Sequence, residues 1–139
     1  MTADEIKQTT AEAIRCFNDP SRRDAYFETL YEDDVLLHGY TAEPLTPKTV
    51  VKGFYQAFFE AFPDCRVDTE AMYVEGDVLT LRFRFSGTHQ GVFRGIPPSG
   101  RRFSIAGITI LRFGARRCVE RWSVADFLGM MTQIGAFER

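Results

Sequence analysis

The hydrophobic repeat of this chain changes at Pro63, and few folds accommodate the change. Before it, Val50, Val51, Phe54, Tyr55, Phe58, Phe59 and Phe62 recur at three- and four-residue intervals, the repeat of one broad helical face. Thr46 as cap and Pro47 as first helical residue predict the start of that helix, and Pro63 predicts its end. From Cys65 onward apolar and polar residues alternate, which predicts strands over 66–75, 78–89, 102–113 and 118–126. Glu75-Gly76-Asp77 and Gly114-Ala115-Arg116 read as hairpin turns. Along the second strand Leu79, Leu81, Phe83 and Phe85 share one face, and continued alternation carries His89 to the same side. So wide an aromatic stripe on a helix needs a sheet to cover it.

The residues before residue 46 read as two more helices and a strand. Thr2 and Glu5 form a capping-box signature, followed by Ile6, Ala13, Ile14 and Phe17 at helical spacing until Asn18-Asp19-Pro20. Ser21 reads as the cap of a shorter helix with Tyr26, Phe27, Leu30 and Tyr31 on its apolar face, ended by Asp33-Asp34. Val35 to Gly39 reads as a first strand, and Phe127–Ile134 as a short helix or irregular tail. Helices first and antiparallel strands after predict an α+β fold: three N-terminal helices packed on a curved, mostly antiparallel sheet around an apolar pocket. Residues 1–139 form a single domain in this reading, with no repeat, linker or low-complexity segment.

Composition excludes several classes of function. No apolar run reaches the roughly 20 residues of a membrane helix, and Met1 to Thr10 is polar where a signal peptide is apolar, so the expectation is a cytoplasmic protein. Cys16, Cys65 and Cys118 are odd in number and lack metal spacing, which predicts buried free thiols. Residues 1–77 carry 16 acidic and 7 basic side chains, whereas residues 78–139 carry 3 acidic and 10 arginines. The expectation is that the halves fold together and neutralise; the sharper alternative places an arginine at an anionic or enolate-like ligand. A pI near 5.7 argues against nucleic acid as a partner.

Several segments in order carry a family likeness. They are Asp33-Asp34-Val35 with His38-Gly39; Phe62-Pro63-Asp64; Glu75-Gly76-Asp77-Val78; Gly87-Thr88-His89-Gln90-Gly91-Val92-Phe93 running on to Gly95-Ile96-Pro97-Pro98-Ser99-Gly100; and Val119-Glu120-Arg121-Trp122 with Asp126 and Leu128-Gly129. Together they resemble the SnoaL-like polyketide cyclases over almost the whole chain, the GTHxGxFxGIPPxG stretch being the most specific part. The resemblance implies the cone-shaped α+β barrel of the nuclear-transport-factor-2-like superfamily, usually a homodimer, with a deep pocket between sheet and helices. It also implies a small apolar or aromatic ligand and an intramolecular aldol closure, or a related isomerisation, without metal or organic cofactor.

An aldol closure needs a base at the carbon acid, donors for the enolate and an acid at the receiving carbonyl. The resemblance implies an aspartate directly after the Trp position of the last strand and an assisting histidine on the strand before. Here those positions hold Ser123 and Thr109, and a serine hydroxyl without a neighbouring base does not take a carbon-bound proton at neutral pH. The candidate catalytic residues are therefore Asp126, His89 and Ser123. Asp126 alternatively caps the tail segment, and His89 alternatively bonds into the Pro97-Pro98 turn. Candidate substrate-binding residues are Arg121, which shares a face with Ser123, together with Thr109, His38, Tyr40 and Phe58; His38 alternatively reads as a satisfied core or edge histidine and Phe58 as core. Arg121 either pairs with a carboxylate of the acidic first half or meets a ligand oxyanion. No metal-spaced set, nucleophile elbow or phosphate loop is present.

Three functions remain open at this level. An open pocket with Asp126 or His89 converging on one point marks an enzyme. An open pocket holding Arg121, Ser123 and Thr109 without a carboxylate marks a catalytically silent ligand binder. An interior filled by phenylalanines marks a dimerisation module.

Overall fold

The computed structural model describes residues 1–138. Helix α1 spans Ala3–Phe17 and opens on the expected capping box, with Thr2 accepting from the Glu5 amide and Glu5 from the Thr2 amide. A single 3₁₀ turn, Pro20–Arg22, leads into α2, Arg23–Leu30. The cap here is Asp19, whose carboxylate accepts from the Ser21 amide and hydroxyl; Ser21 caps nothing. Strand β1 covers Tyr31–His38 and begins before Asp33-Asp34, so these acids lie within the strand and do not end the helix. Their side chains fall at exposed positions there, where a strand tolerates charge.

Helix α3 runs Lys48–Ala61. Pro47, not Thr46, holds its cap position, and the amides of Val50 and Val51 bond to the Pro47 carbonyl without any side-chain cap. Strands β2 (Arg66–Glu75), β3 (Val78–Thr88), β4 (Arg102–Phe113) and β5 (Cys118–Ala125) follow, then α4, Phe127–Gln133. The sheet order is β1-β5-β4-β3-β2, antiparallel throughout except for the parallel β1–β5 pair.

Alternation decides which side chains face the helices. Leu79, Leu81, Phe83 and Phe85 of β3 and Phe103, Ile105, Leu111 and Phe113 of β4 are buried, whereas Ile108 and Ile110 look outward. Phe83 lies opposite Gly107 in register, and a Cβ on Gly107 would run into its ring. The α1–α2 pair and α3 cover the inner face through Phe17, Tyr26, Phe27, Phe58 and Phe62, whose rings pack edge-on or tilted. All three cysteines are free and buried.

The 89–101 loop closes one end of this core. Gln90 and Gly91 donate their amides to the carbonyl of Ala61, the last residue of α3. The His89 amide bonds to the Arg101 carbonyl and the Gly100 amide to the His89 carbonyl.

Candidate ligand-binding site

Between the inner sheet face and α1–α3 lies a cavity. The centre of a water-sized sphere can move through about 80 Å³ of it, within about 810 Å³ of non-atom space that includes open solvent. The wall is apolar: Phe17, Leu30, Phe58, Val67, Leu81, Phe83, Phe85 and Leu111 contribute to it. The partly exposed rings of Tyr40, Phe54 and Phe127 line its more open side.

One wall is polar, and β5 builds it. Because β5 alternates, Arg121, Ser123 and Ala125 face the cavity while Trp122 and Val124 face out. Arg121 is only 8 % exposed. Its Nε donates to Thr109 Oγ1 at 2.8 Å, and its Nη1 donates to the hydroxyls of Tyr26 at 2.9 Å and Tyr31 at 2.6 Å. The two tyrosine hydroxyls are themselves 2.9 Å apart. Burial pushes both phenols above their ordinary range, so they are neutral partners.

The remaining hydroxyls form a directed chain. Thr109 Oγ1 donates to the Trp122 carbonyl at 3.0 Å and so accepts from Ser123 Oγ at 2.7 Å. Ser123 in turn accepts from Tyr40 at 2.9 Å, and Tyr40 from Tyr55 at 3.3 Å. Tyr40 reaches Ser123 because Gly39 turns the chain after β1 with φ +91°, where a Cβ would strike the Ser123 carbonyl oxygen.

Ser123, Arg121, Tyr40 and Phe58 thus line one cavity, with Thr109 bonded directly behind the first two. The other three candidates stand elsewhere. Asp126 follows the end of β5, is exposed, and caps α4 by accepting from the Gly129 amide at 2.8 Å. The His89 side chain is buried in the loop at the end of α3; its Nδ1 accepts from the Ser99 amide at 3.2 Å and lies 3.0 Å from Ser99 Oγ. His38 turns to the outer sheet face, where it bonds Glu120 at 2.8 Å and stacks on Trp122. Among the described residues no aspartate, glutamate or histidine lines the cavity, and no three His, Cys, Asp or Glu side chains converge as a metal set.

Sequence reasoning missed Tyr26, Tyr31 and Tyr55. It placed all three of these hydroxyl-bearing rings on apolar stripes, as though they were phenylalanines. The available signal was the hydroxyl itself, since a buried tyrosine needs a hydrogen-bond partner. Nothing in a linear pattern identifies Arg121, 90 residues beyond Tyr31, as that partner.

The architecture, an α+β sheet curled over helices with its cavity on the inner face, defines the class of protein. The SnoaL-like polyketide cyclase profile matches residues 9–134, and the chain belongs to that family. Among solved structures it resembles IdmH, a polyketide cyclase candidate from Streptomyces antibioticus, at 27% identity and TM-score 0.80, over 94% of this chain and 98% of that one. TsrD from Streptomyces laurentii superposes with TM-score 0.86 at 23% identity over 99% of both chains. AclR, a hydroxylase candidate from Streptomyces galilaeus, gives 0.85 at 24% identity over 99% of this chain and 85% of that one. The last two likenesses are of fold alone. No curated protein matches the chain.

Proposed function

We propose that this protein binds a small, mostly apolar molecule of aromatic or polyketide type in the inner cavity, and does so without removing a proton from carbon. The observation that carries the reading is the composition of the wall: phenylalanines and aliphatic residues, a cluster of hydroxyls around Arg121, and no carboxylate or imidazole among the described lining residues. Hydroxyls and a guanidinium can hold a carbonyl or enolate oxygen. They supply no base at neutral pH, because burial pushes Tyr26, Tyr31 and Tyr55 further from ionisation.

A second reading, cofactor-independent acid/base catalysis of the cyclase or isomerase type, draws support from family membership and from the Tyr55–Tyr40–Ser123–Thr109 chain. That chain offers proton donors at the site of the family's acid/base residue. The exposed outer-face residues Ile108, Ile110, Trp122 and Val124 support pairing with a second copy, and three free thiols support a reducing, cytoplasmic setting.

Solvent deuterium exchange separates the two. With a bound 1,3-diketone, the binding reading predicts α-carbon exchange within about tenfold of the rate in buffer, equal for the native protein and Ser123→Ala. Exchange accelerated by a factor of about 100 or more, the range of a positioned general base, and lost in Ser123→Ala, contradicts it.

A further inference from the structure

Arg121 is a buried cation without a counter-ion among the described residues. Buried charges in proteins are ordinarily paired, because an isolated one forfeits its hydration. Of the ion pairs among the described residues, none reaches Arg121. The carboxylates that could have served it are engaged elsewhere. Glu120, its neighbour in sequence, points outward to Arg112 and His38, and Glu28 holds Lys48 and Lys52 on the other side of the helices.

The guanidinium is also only partly used. Nε and Nη1 spend their three hydrogens on Thr109, Tyr26 and Tyr31, all neutral, while Nη2 has no hydrogen-bond partner among the described residues. The side chain lines the cavity, and its Nη2 is not sealed in the interior; among the described residues the sealed side-chain atom without a partner is His89 Nε2. Two N–H bonds of a charged group are therefore free beside the cavity. The three bonded hydroxyls fix the plane of the fork, so the free pair is held in place before any ligand arrives.

We propose that the occupant of the cavity is an organic anion, an apolar body bearing a carboxylate or an ionised enol, whose charged oxygen accepts from Arg121 Nη2. This rests on the cavity being a ligand site and goes further by fixing the ligand's charge. The guanidinium supplies the charge, the hydroxyls around it set its direction, and the aromatic walls receive the uncharged remainder. A neutral ligand of the same shape leaves the cation without a counter-ion and replaces an ion pair by the weaker bond of a cation to an uncharged oxygen.

The test is calorimetric titration with matched pairs: 2-naphthoate against 2-naphthamide for a carboxylate, and dimedone, ionised at neutral pH, against its neutral methyl enol ether for an enolate. The expected result is that at least one anion binds about tenfold or more tighter than its neutral partner, that the preference disappears in Arg121→Met, and that the neutral partner binds both proteins alike. Arg121→Gln serves as the second variant should the methionine protein fail to fold. Whichever pair shows the preference distinguishes carboxylate from enolate. Equal binding of anion and neutral molecule, or a preference that survives both variants, overturns the anionic assignment and leaves the cavity as a binding site. Failure of all four probes to bind overturns both.

Discussion

At the residue scale, His89 and Arg121 show how context assigns a side chain its work. Both are buried and polar, and both lie on or just beyond strands whose alternation leads inward. Yet β3 ends at Thr88, and the next residue enters a loop tied to the end of α3, so the imidazole meets Ser99 and not the cavity. There its Nδ1 is bonded to Ser99, the residue after Pro97-Pro98. His89→Ala is expected to lower unfolding free energy by about 1–3 kcal/mol, the cost of losing a buried hydrogen bond and its packing, and to leave the affinity of a cavity ligand within twofold. Urea denaturation and calorimetry check the two halves of that statement. The sequence segment from Gly87 to Gly100 told where a histidine would fall in the chain but not which way its ring would turn. The choice depends on where the ladder stops, and strand ends are set by tertiary partners that no local pattern displays.

At the element scale, alternation was the most informative signal. It placed the four later strands to within one residue of their observed ends and put Ser123 and Arg121 on one face. Helix starts were less legible, because Asp19 and Pro47 take the cap positions that Ser21 and Thr46 were expected to hold. Contacts between helices were not legible at all. Lys48 and Lys52 of α3 converge on Glu28 of α2 at 3.0 and 2.7 Å. Hydrogen bonds from Lys52 first, then Lys48, lower the Glu28 pKa from its ordinary 4.5 to about 2. A depressed carboxylate pKa contributes stability that is fully present above pH 4.5 and is lost as pH falls through about 2. Since the Glu28 side chain is half exposed, solvent screening holds the contribution below about 1 kcal/mol. Unfolding midpoints measured between pH 5 and pH 2 should fall less steeply in Glu28→Gln than in the native protein. Identical slopes would show that the α2–α3 bridge carries no pH-dependent stability.

At the scale of the whole molecule, the opposed charges of the two halves did not resolve as a general neutralisation. Among the described residues only Asp64–Arg102 and Glu70–Arg82 join an acid of the first half to an arginine of the second. Most of these pairs form within a half, and Arg121 pairs with no acid among the described residues. The charge asymmetry of the sequence thus pointed toward the site in one instance, without showing which arginine. What the sequence conveyed well was the container: a helical aromatic stripe and an alternating sheet must face one another, and the family resemblance placed a cavity between them. What it conveyed poorly was the content of the wall, since three of its hydroxyls come from helices and loops far removed in sequence from β5.

Small molecules are expected to enter the inner cavity and not to sit on the apolar outer face around Trp122. Shift mapping by NMR during titration with 2-naphthoate tests this directly. The account predicts saturable perturbations at Tyr40, Phe58, Phe85 and Ser123, abolished when a bulky Ser123→Trp substitution fills the space, with Ile108, Ile110 and Val124 unmoved. Perturbations confined to Ile108, Ile110, Trp122 and Val124, or binding unchanged by Ser123→Trp, would contradict it.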